Sequence, residues 1–484
     1  MKSNLRLGLL AILPLIFATA MAAAPRPNIV MIMCDDLGYA DVGFNGSTDI
    51  KTPNLDALAE AGTICSSGYV VHPFCGPSRM GLMTGRYPHL FGAPFNLPAF
   101  SDGIDKYNRL GVDPNKKLIS RVLQEGGYRT GLIGKWHLGA KAEHHPNKRG
   151  FDEFYGFLAG GHDFFPADYQ PKYERQKKLG NKNPWDYILP LEHNGKEVRE
   201  TEYLTDGLSR EACTFIEESG DKPFFLFLSY NAPHTPLQAK KEDMEHFKHI
   251  TDPKRRTYAG MVHAVDRGVA KVVETLKNTD NDKSTLIIFL SDNGGRLDQG
   301  ANNSPLRGSK GDTFEGGFRV PMFFHWPDTI PAGRVHPHPV SALDFYPTFA
   351  ALAGAELPSD KKTDGLDISK AIIEGTDVRK GEMIYTIRHR VSKGDNPHHQ
   401  IGGRRNQWKI QRGSGSWKLF DVEKDPGETK DLSRSHPEVL SEMVREMKKW
   451  AMTHPRPLWF DNLAQEDRWT DKNLPVYEAA FSLD

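Results

Sequence analysis

The chain has 484 residues and carries 62 lysines and arginines against 62 aspartates and glutamates. That balance leaves no electrostatic footprint for nucleic acid or an anionic membrane surface, although it permits a local anion site. Four cysteines in a chain this long make no disulfide framework, and their spacing is not that of a zinc site.

Lys2 and Arg6 precede an apolar run over 7–17, and small residues follow at Ala20-Met21-Ala22 and Ala22-Ala23-Ala24. This pattern reads as a signal peptide over 1–24, hence export to a periplasm or beyond with no stable membrane anchor. Short apolar runs over 28–34, 128–134, 223–229 and 285–291 then alternate with amphipathic stretches over 52–61, 118–125, 202–218 and 261–277. Strands buried on both faces and helices in alternation predict an α/β domain over 25–376, its large and mostly parallel sheet lying between helices. From 377 the pattern changes. Runs over 382–389, 407–411 and 417–422, then a helical stretch over 437–452, predict a smaller C-terminal subdomain (377–484) with a short antiparallel sheet and a helix.

Ligands of open α/β sheets bind beyond the carboxyl ends of the strands. Here those ends carry Asp35-Asp36, Lys135-Trp136-His137, Pro233-His234 and Asp292-Asn293. Each alone reads as an ordinary turn or cap; four together predict one polar cleft. Asp35, Asp36, Asp292 and Asn293 offer oxygen donors only, which suits Ca²⁺ better than zinc or copper. Neighbouring carboxylates on an extended strand face opposite ways, so both can bind only if the chain turns, which Leu37-Gly38 permits. Lys135 and His137, two apart, point the same way on an extended backbone. His234 is a natural acid for a leaving alcohol.

Residues 75–86 read Cys-Gly-Pro-Ser-Arg-Met-Gly-Leu-Met-Thr-Gly-Arg. Proline and glycine bracket a helix over 77–84 with Cys75 at its N-terminus, where free N–H groups favour an anion. The run matches C-x-P-S-R-x-x-L-x-T-G-R, and with Gly134-Lys-Trp-His-Leu-Gly139 and the segment 421–432 it resembles the type I sulfatases. The resemblance implies the alkaline-phosphatase-like fold and hydrolysis of sulfate esters. It further implies that a formylglycine-generating enzyme oxidises Cys75 to formylglycine (3-oxoalanine), whose hydrate is the nucleophile. Ca²⁺ would then sit on Asp35, Asp36, Asp292, Asn293 and residue 75. Lys135 would hold sulfate oxygens, Lys310 would touch the sulfate or the leaving oxygen, Arg79 would brace the nucleophile, His137 would take a proton and His234 would give one. Phosphodiester or phosphonate monoester hydrolysis is the alternative within this fold. An inactive sugar-binding homologue is the other, and the intact set of site residues argues against it.

A secreted enzyme of this kind suits a sulfated saccharide, such as a marine galactan like carrageenan or a glycosaminoglycan. Basic residues between Arg388 and Arg405 read either as a solvated face or as a lip over the cleft, with Arg404 and Arg405 as the expected contacts. Aromatic residues over 151–157 and 160–165 suit stacking on sugar rings. His162, Asp163 and Arg296 complete the expected substrate contacts.

Overall fold

The computed structural model describes residues 26–98, 106, 110–359, 362–391, 398–475 and 477–483. The signal-peptide expectation therefore lies outside the described residues. No helix among them is long and apolar enough to cross a membrane.

A ten-stranded mixed sheet runs through the large domain. From edge to edge its strands are Arg334–His336, Thr63–Cys65, Met322–His325, Thr285–Ser291, Asn28–Cys34, Phe224–Ser229, Arg129–Lys135, Glu153–Phe157, Leu191–His193 and Lys196–Val198. The five strands from Thr285–Ser291 to Glu153–Phe157 are mutually parallel, and the pairings outside them are mostly antiparallel. Alternation along Asn28–Cys34 sends Ile29, Met31 and Met33 to one apolar layer and Val30 and Ile32 to the other. Burial of such side chains contributes roughly 1.5–3 kcal/mol each. Ile119–Glu125 and Phe345–Ala353 cover the first layer; Leu204–Ser219 and Pro253–Asn278 cover the second. The last helix begins well before the apolar periodicity does, because Asp252 caps it by accepting from the Lys254 N–H at 2.9 Å.

A separate antiparallel sheet follows, in the order Ile384–Arg390, His398–Arg405, Trp408–Arg412, Lys418–Asp421. The helix Pro437–Ala451 packs Met443, Val444 and Met447 onto Ile387, Ile401, Ile410 and Leu419 of this sheet. One expectation changes here. The stretch ending at Arg405 is the strand His398–Arg405. Its two arginines do not form a lip: Arg404 is buried at the junction with the large domain, donating to Ser67 Oγ at 3.0 Å and to the Tyr69 hydroxyl. Arg405 turns to the helix and pairs with Glu442 and Glu446 at 2.8 and 3.2 Å.

Candidate active site

The central parallel strands deliver their polar side chains to one end of the sheet. Asp36 adopts a left-handed φ of 65°, so the expected turn falls on Asp36 itself, one residue before Leu37. That turn brings the ligand atoms of Asp35 and Asp36 together with those of Cys75 and His234, all within 4.8 Å of one another. Gly134, at φ 115°, lies where a Cβ would come 1.9 Å from the Ser229 carbonyl oxygen, so only glycine lets these strands close beneath Lys135. His137 is also left-handed, at φ 63°. The extended-strand argument therefore does not describe it; Lys135 reaches under the site while His137 lines the pocket.

Cys75 is the first residue of the helix Cys75–Thr84, which starts earlier than its proline suggests, and all ten of its residues are buried. The Gly76 N–H donates to Asn96 Oδ1 at 2.9 Å. Lys310 Nζ lies 2.6 Å from Asp36 Oδ1 and 3.0 Å from Cys75 Sγ. Lys135 Nζ pairs with Asp35 Oδ2 at 2.6 Å, both fully buried. Arg79 donates from Nε to Asp292 Oδ2 at 2.8 Å and from Nη1 to Ser229 Oγ at 2.6 Å. Asn293 Nδ2 donates to Asp36 Oδ1 at 2.7 Å. His234 gives its Nδ1 proton to the Thr235 carbonyl at 2.6 Å, which leaves Nε2 facing Asp36 Oδ2 at 3.7 Å.

Burial and crowding set the protonation of these groups. Burial pushes the Cys75 thiol up to about 12 against the pull of Lys135 and Lys310, so the unmodified side chain is a neutral thiol at neutral pH. Burial and the Asp35 charge raise Asp292 to about 6. Burial would raise Asp36 too, but Lys310 and His234 hold it well below the usual carboxylate range. Burial, and after it the charges of Lys135 and Arg79, hold His137 far below its ordinary value. His234 falls to about 3, chiefly through burial.

Three buried oxygens in this cluster have no hydrogen-bond partner: Asp35 Oδ1, Asp36 Oδ2 and Asn293 Oδ1. Unmatched oxygen acceptors of this kind are costly unless a cation takes them. Hard oxygen donors in that number fit Ca²⁺ or Mg²⁺, and Asp292 stands beside them on Arg79.

Above the cluster lies a pocket of about 180 Å³ whose lining includes Cys75, Asn96, His137, Tyr187, His234 and Lys310. Asn96 and Tyr187 escape the sequence reading, since neither belongs to a motif. Ser229, which holds Arg79, ends an apolar strand and carries no signal of its own. The expected substrate contacts fare differently. His162 is fully buried, and its two ring nitrogens face the carbonyls of Asp163 and Leu189 at 2.6 and 2.8 Å. Asp163 is buried against Lys172 at 3.2 Å. Both shape the wall behind the pocket and do not face into it. Arg296 stands on the rim, paired with Asp298 at 2.6 Å and within the field of Asp36 and Tyr187. Phe151, Phe154, Phe157 and Phe164 are core residues, so they offer no face to a sugar. Trp185 is exposed instead and stacks on Tyr187 at 4.8 Å.

Residues 27–355 match the pattern of the Sulfatase family, and residues 310–453 match that of the N-sulphoglucosamine sulphohydrolase C-terminal region. The chain belongs to the sulfatase family. The N-acetylgalactosamine-6-sulfatase of Mus musculus is 33% identical over 380 residues, covering 76% of this chain and 70% of the relative. Arylsulfatase J of Mus musculus is 31% identical, covering 89% of this chain and 77% of the relative. Among solved structures, that of Ps i-CgsB in complex with k-i-k-neocarrahexaose superposes with a TM-score of 0.91 at 53% identity, over 95% of this chain and 100% of the other. The sulfatase fold and its small C-terminal sheet are thus shared, and the protein is a sulfuric ester hydrolase.

Proposed function

We propose that this sulfatase is exported and removes sulfate from a saccharide, using Cys75 converted to formylglycine and a bound Ca²⁺. The observation that carries this reading is the cluster of Asp35, Asp36, Cys75 and His234, with buried oxygens left unmatched around the cysteine. A sulfated galactan of the carrageenan type is the favoured substrate, supported by the likeness to a protein crystallised with k-i-k-neocarrahexaose; a glycosaminoglycan is the other, supported by the N-acetylgalactosamine-6-sulfatase relatives.

Asp35, Asp36, Asp292 and Asn293 would hold the metal, which lends positive charge to the sulfuryl oxygens and to the nucleophile. Formylglycine at position 75 supplies, when hydrated, one hydroxyl to attack sulfur and a second whose proton loss lets sulfate depart as the aldehyde returns. Lys310, held at Asp36, and Lys135, held at Asp35, place two ammonium groups where negative charge grows, and such fixed charges supply the largest share of rate in reactions of this type. His234 Nε2 faces Asp36 and carries no proton while the ring is neutral and protonated on Nδ1, so it would act as acid to the leaving oxygen only after Nε2 takes up a proton beside the bound anionic ester. His137, unbonded at Nδ1 and buried, is placed to accept one from residue 75. Arg79 fixes Asp292 and, through Ser229, the end of a neighbouring strand. Arg296, held by Asp298 outside the pocket lining, is a rim charge whose contribution to substrate would be secondary.

The test is free sulfate released from defined sulfated galactan and glycosaminoglycan oligosaccharides, by protein co-expressed with a formylglycine-generating enzyme. Conversion is read from the mass of the peptide containing residue 75, and Cys75→Ser is the control. Release from one saccharide, lost in the variant, is expected. Fully converted protein that leaves every saccharide intact but cleaves phosphodiesters or phosphonate monoesters would overturn the reading.

A further inference from the structure

In the strand Ile384–Arg390, alternation puts Ile387 and His389 on the face packed into the protein and Arg388 and Arg390 on the other. Arg390 approaches Asp312 at 4.0 Å. Arg388 lays its guanidinium over the ring of Phe74, Cζ standing 3.6 Å from the ring centroid. Phe74 is the residue before Cys75, and Lys310 Nζ faces the same ring at 5.5 Å. The guanidinium therefore stands no farther from the Lys310 ammonium than those two distances together.

Arg388 differs from every other cation around the nucleophile. Lys135, Lys310 and Arg79 each hold a carboxylate within 2.8 Å. Among the described residues Arg388 has neither an ion pair nor a hydrogen bond. The carboxylates whose charge reaches it, Asp461 and Asp312, form no ion pair with it; Asp461 accepts from the Asn96 N–H at 3.1 Å, and Asp312 from the Ser309 N–H at 2.9 Å. Burial accordingly draws Arg388 below the ordinary arginine range. A half-buried guanidinium without a counter-charge is costly unless something else supplies the anion. Stacking on an aromatic face uses the flat of the group and leaves its in-plane N–H donors free, the geometry suited to gripping an oxyanion with two parallel bonds.

We propose that Arg388 is a specificity-determining residue that binds a second anionic group of the substrate, a sulfate ester or a uronate carboxylate, on the sugar that carries the scissile ester or on its neighbour. The inference rests on the sulfate-ester reading of the pocket and adds to it that the preferred saccharide is at least dianionic. It also replaces the lip expected at Arg404 and Arg405: the basic run does reach the site, but through its first arginine.

Three matched disaccharides test it, sharing one scissile sulfate: the first with no other charge, the second with an added sulfate, the third with a uronate carboxylate. kcat/KM is measured for the converted holoenzyme and for Arg388→Leu and Arg388→Lys. For the wild type one dianionic substrate should exceed the monosulfated one by about 10–100-fold, the range of a charge-assisted paired contact. In Arg388→Leu that ratio should collapse through KM, with Arg388→Lys in between, and the substrate that suffers names the anion. Equal losses on all three substrates, or an unchanged ratio, would overturn the proposal. Unfolding midpoints guard against a folding defect, since Arg388→Leu removes an unpaired charge and should melt no lower than the wild type. If converted wild type releases no sulfate, the hydrolytic reading fails by itself. Calorimetric binding of the same disaccharides to Cys75→Ser, with and without Arg388→Leu, then decides this inference separately: tenfold weaker dianion binding supports it, and equal binding sinks it.

Discussion

Two clusters of charge are sealed inside this protein, and they are built to opposite ends. Beneath the pocket, Asp35, Asp36 and Asp292 face Lys135, Lys310 and Arg79, yet carboxylate and amide oxygens remain unmatched. Where the small sheet meets the large domain, Lys409 pairs with Glu315 at 2.8 Å, Glu315 accepts from Tyr69 at 2.5 Å and from Arg319 at 3.3 Å, and Glu428 accepts from the Glu315 N–H at 2.7 Å. The second cluster locks two parts of the chain together and leaves one carboxylate oxygen, Glu428 Oε1, without a hydrogen bond, 3.7 Å from the Lys409 ammonium. The first keeps its unmatched oxygens beside the pocket, where the proposed cation and substrate would meet them. Buried ion pairs do not by themselves report function; what separates these two clusters is that three unmatched oxygens converge beside Cys75, against a single one in the junction cluster.

The largest effect should come from the cluster beneath the pocket. Asp36→Asn is expected to lower sulfate release by at least about a thousandfold, since it loosens Lys310 and removes a metal oxygen together. The same variant should lose the stabilisation by calcium expected of the wild type, about 2.7 kcal/mol at a hundredfold excess over Kd, read as the shift in unfolding midpoint between calcium and chelator. If that shift survives, Asp36 is not a metal ligand.

Lys409→Met probes the junction cluster. Stripping two buried glutamates of their shared ammonium should cost about 3–5 kcal/mol in urea unfolding while the calcium shift persists. Loss of both together would mean that the two clusters are one cooperative unit.

The smallest effect concerns pH. Burial and the Glu315 charge raise Glu428 to about 7, so the folded state keeps a proton that the unfolded chain releases near its ordinary value of 4.5. Such a group loses stabilising power as pH rises between those two values. Glu428→Gln should therefore gain on the wild type by about 2–3 kcal/mol between pH 5 and pH 8, at about 1.4 kcal/mol for each unit of the shift. A variant less stable at both values would show that the negative charge itself is needed there.

Much of this was legible beforehand, for identifiable reasons. Parallel strands buried on both faces read as continuous apolar runs, so the four central strands and their polar ends stand out from flanking sequence. Glu153–Phe157 did not, because its aromatic residues suggest a sugar platform as readily as a buried strand; only its pairing with Arg129–Lys135 decides. The basic run failed for a related reason. In a strand, neighbouring arginines face opposite ways, and a one-residue change of register exchanges them. Nothing in the order of residues says that Arg388 meets Phe74 while Arg404 meets Tyr69. Asn96 and Tyr187 reach the pocket, and Ser229 the arginine beneath it, from separate segments, and short-range spacing holds no trace of that.

The wall beside Cys75 is finished from the far end of the chain. Asn96 takes the Gly76 N–H with its side chain and gives its own backbone N–H to Asp461, 365 positions away, while Trp459 Nε1 donates to the Phe95 carbonyl at 2.9 Å. Cys75 is 2% exposed once that wall is in place. Ribosomes make residue 75 long before residue 461. The order of synthesis thus leaves residue 75 without this wall until the C-terminal segment arrives, and the conversion to formylglycine proposed above would have that interval in which to reach the thiol.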